Sequence, residues 1–219
     1  METKVELIIT VLALLLVLFI PPIGVLISFL IVITYLSWDK NRASKFKSIG
    51  FKANQTWLKL ILTCLIIGIV IEISFQIIVN PILENVTDSK IDLSAYENLR
   101  GNIPNYLFMI LVGWIVGGFI EEILFRGFLI TRISRYFKPD LLGDIIGVII
   151  TSLAFGYSHM YQDWSGVFST GLISIVFGII YLKSGKNIWY TIFTHGFVNM
   201  TSLTIIYMDI DKYLGELLF

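Results

Sequence analysis

Residues 106–130 read YLFMILVGWIVGGFIEEILFRGFLI, and this stretch decides the fold. At a rise of 1.5 Å per residue, a helix over it is about 37 Å long. That is more than the roughly 30 Å of a bilayer's hydrocarbon core. Its only charged residues are Glu121, Glu122 and Arg126. A charge at mid-membrane costs about 2.5–3.5 kcal/mol on insertion scales, so such groups usually line a site or a cavity. The same segment therefore predicts both a membrane span and a place where chemistry is held.

The rest of the chain agrees. Apolar residues make up 56% of the 219 and charged residues only 15%, against roughly 25% charged in soluble chains. Such a chain has too few polar groups to clothe a soluble surface. The pattern predicts an all-α, polytopic transmembrane helical bundle of six or seven spans with a polar intramembrane cavity. Further spans are expected at about 5–36, 56–79, 142–159, 167–182 and 188–208. The first is broken by Pro21-Pro22, which remove two backbone donors. It reads as one kinked span, because each half alone is short. Met1-Glu2-Thr3-Lys4 lacks the positive start of a signal peptide. Cys64 has no partner for a disulfide, and no basic run of the nucleic-acid-binding kind appears. The lipid bilayer is a partner and nucleic acid is not.

Loop charges give an orientation. Lys40, Arg42, Lys45, Lys47, Lys52, Arg132, Arg135, Lys138, Lys183 and Lys186 fall on one side, and most acidic loop residues on the other. The positive-inside rule makes the first side cytoplasmic.

Four groups of polar residues lie within apolar segments. Glu122 and Arg126 are four apart on a helix and can pair, whereas Glu121 points about 100° away and is left to face something else. A purely structural Glu–Arg lock is the plain alternative for the pair. His159 follows Phe155 at the same spacing, and His195 precedes Asn199 likewise. They are the two histidines of the chain. Glu72 stands alone in its span and reads as a structural or lipid-interface residue. One carboxylate, two imidazoles and a carboxamide can hydrolyse. The carboxylate acts as general base on a water, and the imidazole and amide donate to an oxyanion. Glu121, His159 and His195 also match the Glu-plus-two-His ligand set of a catalytic zinc site, although no His-Glu-x-x-His helix is present. Zinc or another divalent metal and a metal-free mechanism are both open.

The ordered set Glu-Glu-x-x-x-Arg (121–126), Phe-x-x-x-His (155–159) and His-x-x-x-Asn (195–199), on separate helices, resembles the CPBP family. Its members are type II CAAX prenyl proteases and bacterial bacteriocin-processing or immunity enzymes, often labelled abortive-infection (Abi) proteins. The resemblance covers residues 104–208, with 1–103 as N-terminal transmembrane segments and 209–219 as a short tail. It implies an intramembrane endopeptidase, of metalloprotease or glutamate-protease type. Glu121 would be the catalytic glutamate, Glu122 its motif partner and Arg126 the supporting cation. His159 would activate water or bind metal, with His195 and Asn199 completing the site. The expected substrate is a peptide or protein, lipidated or not, cut near the cytoplasmic side. Ile-, Lys- and Asn-rich usage suggests a bacterial plasma membrane. The competing reading is a non-catalytic immunity or scaffold protein that binds a peptide or partner in the same cavity. His159 lies about 25 Å along its helix from the cytoplasmic end, so that helix is expected to stop inside the protein with its end lining a cavity.

Overall fold

A computed structural model describes residues 2–38, 42–52 and 56–214. Among these the chain is helical, without strands. The main helices are α1 (Glu2–Phe19), α2 (Ile23–Ser37), α3 (Arg42–Ser48), α4 (Trp57–Thr87), α5 (Ile103–Tyr136), α6 (Asp140–Ser158), α7 (Asp163–Lys183), α8 (Ile188–Tyr207) and the short α9 (Asp211–Leu214). Four of them, α4, α5, α6 and α7 (the last with the turn before it), are long and apolar enough to cross a membrane. Helix α8 falls short on hydropathy because it carries His195, Asn199 and several threonines. It packs against α4, α5 and α7.

The N-terminal block is not one kinked span. Its halves fold back as an antiparallel hairpin, in which Ser28 Oγ donates to the Ala13 carbonyl (3.1 Å) and the Tyr35 hydroxyl to Glu6 Oε1 (3.1 Å). Gly24 allows the fold-back, because a Cβ there would lie 1.9 Å from the Leu16 carbonyl oxygen. The halves are about 27 and 22 Å long at helical rise. The hairpin returns the start of α1 to the basic-loop end. There Glu6 pairs with Arg132 (3.0 Å) and Arg135 (2.9 Å).

Pro81 does not end the second span either. A wide i→i+5 turn over Phe75–Val79 precedes it, and this turn accommodates the missing proline donor. The helix then runs on to Thr87. In α5 the residues 113–121 and 123–130 form two further wide-turn stretches. The first of these stretches ends on Glu121 and the second starts just after Glu122.

Candidate active site

Glycines bring α5 and α8 together. A Cβ on Gly117 would stand 2.2 Å from Asn199 Nδ2 and 3.2 Å from His195 Nε2, and one on Gly113 would stand 3.2 Å from Asn199 Cβ. Gly196 in return lies under the Trp114 ring, which a Cβ would meet at 2.3 Å. Small residues at matched positions let helix backbones approach closely in a membrane. Here the approach sets His195 and Asn199 beside the glutamates.

The result is a linear chain of contacts. Arg126 Nη1 donates to Glu122 Oε1 at 2.9 Å. His195 Nδ1 lies 2.8 Å from that same oxygen, and His195 Nε2 lies 3.9 Å from Glu121 Oε2. A carboxylate paired with arginine only accepts, so Nδ1 carries the proton and the neutral ring leaves its lone pair on Nε2. Arg126 is fully buried. Its second nitrogen donates to the Ser174 hydroxyl (2.8 Å) and carbonyl (3.0 Å), and Ser174 in turn donates to Ser152 (3.0 Å). Its guanidinium carbon stands 4.9 Å from the centre of the Phe155 ring and 5.2 Å from that of Phe177. Glu122 Oε2 is buried and has no hydrogen-bond partner among the described residues.

The two glutamates sit in different surroundings. Glu122 does pair with Arg126, but it also fixes His195, so it is more than one half of a lock. A cleft of about 280 Å³ is lined by Glu121, His159, His195 and Asn199, while Glu122 and Arg126 lie behind its wall. Asn199 Nδ2 donates to the Gly113 carbonyl at 3.0 Å. Helix α6 ends at Ser158, and His159 lines the cleft from that end. Its Nδ1 is 2.9 Å from the Phe155 carbonyl oxygen, so its Nε2 is likewise the ring's free nitrogen. The rings of Phe155 and His159 lie 4.7 Å apart, on one face as their spacing predicts.

Among the described residues no three His, Cys, Asp or Glu side chains group closely enough to hold a metal ion. Glu121 and His195 are adjacent, and His159 stands apart from them with its backbone carbonyl contact.

One expectation is extended and another corrected. The cleft extends beyond the half that faces the basic loops. Its wall on α4 (Glu72–Asn80), α7 (Ser169–Phe177) and α8 (His195–Ile206) starts on the basic-loop side at Phe177 and His195 and runs past mid-helix, and Ile91, Leu93, Tyr96, Tyr161 and Gln162 join it from the far end. Glu121 and His195 form its inner end. Second, Glu72 does not face lipid. It is 5% exposed, it lines the cleft, and it accepts from Gln76 at 2.8 Å. No motif marks Gln76, Asn80, Tyr96 or Tyr161 as cleft residues. The signal that could have found the first two is their spacing of four and eight from Glu72.

An integral membrane helical bundle with a carboxylate, two imidazoles and a carboxamide around a buried cleft has the equipment of an intramembrane hydrolase. The family described as type II CAAX prenyl endopeptidase Rce1-like matches residues 103–201, the segment that carries all three motifs. The match supports a protease of the CPBP family, as the three motifs imply. Comparison with curated proteins and with solved structures gives no match.

Proposed function

We propose that the chain is an intramembrane endopeptidase whose general base is Glu121. The observation that carries this reading is the contact chain Arg126–Glu122–His195–Glu121, which ends in the cleft. A water placed between Glu121 and His195 Nε2 gives its proton to the carboxylate as its oxygen attacks the scissile carbonyl carbon. The Asn199 amide donates to the oxyanion, a contribution worth roughly 10²–10³ in rate per donor. The C–N bond then breaks, and the leaving amine takes the proton from Glu121, with His159 as a second ring able to carry it. With Nδ1 committed to Glu122, His195 serves as an acceptor toward the water in its neutral form. This differs from a donor role at the oxyanion.

Zinc or another divalent ion is the alternative route to an activated water. It needs Glu121, His159 and His195 to converge more closely than they do here. Activity that survives a chelator belongs to the carboxylate route. Activity lost to chelation and restored by the ion, in a protein that purifies with metal, belongs to the other. The location fits a bacterial plasma membrane, and the substrate a leader-like or lipidated peptide. Purified protein in proteoliposomes should hydrolyse such a peptide, and Glu121→Ala and His195→Ala should each abolish the cleavage without lowering expression. Unchanged activity in both variants would sink the assignment. Partner binding that survives Glu121→Ala in a protein that cleaves nothing would favour the immunity or scaffold reading.

A further inference from the structure

Glu72 is a buried carboxylate in the middle of the apolar helix α4, outside the segment that matches the protease family. Three other acids at low exposure have cations: Glu122 has Arg126, Glu6 has Arg132 and Arg135, and Asp144 has Lys186 at 2.7 Å. Among the described residues Glu72 has none. Its hydrogen-bond partner is a neutral donor, the Gln76 amide, and Ser202 lies beside it in the cleft wall. It is not idle packing, because it lines the cleft together with Gln76, Asn80 and Ser202. The wide turn at Phe75–Val79 lies between Glu72 and Asn80, and Glu72, Gln76 and Asn80 reach the same wall. Asn80 Oδ1 is already engaged by the Ser169 hydroxyl at 2.7 Å. That leaves Glu72 as the acidic group on this wall.

An intramembrane acid without a countercharge calls for a partner, and here the accessible side is the cleft. We propose that Glu72 is a recognition residue that accepts an ammonium group of the bound peptide, from a lysine side chain or a free amino terminus. A cation entering the cleft would complete an ion pair that the chain itself leaves open, and charge-assisted hydrogen bonds are the strong ones in a dry setting. The inference rests on reading the cleft as the peptide site. It assigns the N-terminal half a part in substrate choice, while the family segment supplies the chemistry.

The test uses binding to the full-length Glu121→Ala protein in detergent, so that no peptide is consumed. The probes are ten-residue Leu/Ala peptides with a C-terminal fluorophore and an acetylated start, a lysine moved through each position, and a norleucine parent. A free-amine version of the parent separates the two sources of ammonium. One lysine register or the free amine should bind about tenfold tighter than the acetylated parent. Glu72→Gln should erase that gain and keep the parent's affinity, and Glu72→Asp should keep part of the gain. Equal binding of all peptides, or a gain that survives Glu72→Gln, overturns the proposal. So does loss of parent binding in both Glu72 variants, which marks a structural role. A gain that depends on Glu72 in a wild-type protein that cleaves nothing leaves this inference standing and removes the hydrolase reading. Cleavage without any gain does the reverse.

Discussion

Arg126 is the bulkiest of the fully buried side chains, and its position explains why two adjacent glutamates have separate tasks. Its charge is matched by Glu122 at 2.9 Å, and its remaining donors by Ser174. Breaking such a pair from one side leaves an uncompensated buried charge, at a cost of about 3–5 kcal/mol. Glu122→Gln should therefore lower the unfolding temperature in detergent and remove activity together. Glu121→Gln touches only the cleft side, so it should remove activity while the unfolding temperature stays near wild type. Equal thermal losses in the two variants would contradict this division. Arg126→Lys keeps the charge but lacks the planar fork, and should lose part of both properties. The i,i+4 spacing makes the Glu122–Arg126 pair legible in the sequence alone. The link from Glu122 to His195 is not legible there, because it joins residues 73 apart along the chain.

At the scale of elements, the site depends on how closely α5 and α8 meet, and Gly117 sets that distance. Its absent side chain is where the Asn199 amide sits. Gly117→Ala should displace Asn199 and lower the catalytic rate by about 10²-fold, the order of loss that a misplacement of about 1 Å brings. Gly171→Ala, whose Cβ would meet nothing nearer than 3.6 Å, should leave peptide hydrolysis within a few-fold of wild type. A similar rate in both alanine variants would refute the packing argument. The short α9 makes a separate point outside the membrane segments. Arg100 bridges Asp209 and Asp211, each at 2.7 Å. Lys212 and Arg100 hold the Asp209 carboxyl below its usual range. A depressed carboxylate stabilises the folded form above its unfolded pKa of about 3.9. That stability is lost as pH falls through the lower folded value. Amide exchange over 208–214, corrected for its intrinsic pH dependence, should therefore show falling protection below about pH 4. Protection that stays constant there would count against the clamp. Helix existence is readable from the apolar runs, but helix ends are not. Pro81 reads as a stop, and only the wide turn ahead of it lets α4 continue.

For the whole molecule, the charge pattern and the cleft pull in opposite directions, and both follow from particular residues. The loops place ten cations on one side, and the fold supports that grouping where Glu6 meets Arg132 and Arg135 and where Lys186 meets Asp144. Measured from the nearer helix ends, Glu121 and His195 belong to that side as well. Distance along one helix does not say which way a cavity extends. The far wall comes from Ile91, Leu93, Tyr96, Tyr161 and Gln162, residues that carry no hydrolytic signature. They join only when the segment after α4 crosses the turn before α7, where the Asp92 amide donates to the Gln162 carbonyl at 3.0 Å. With the basic loops cytoplasmic, the cleft runs from the catalytic residues toward the outer side of the bundle. Single cysteines can test this directly, since the one native cysteine, Cys64, is buried. Trp164 is 52% exposed at the start of α7, whereas Lys138 is exposed in the loop before α6. In intact bacterial cells a membrane-impermeant maleimide should label Trp164→Cys and spare Lys138→Cys until the cells are opened. Labelling of Lys138→Cys alone in intact cells would invert the orientation and turn the cleft toward the cytoplasm, while the internal geometry of Glu121, His195 and Asn199 would stand unchanged.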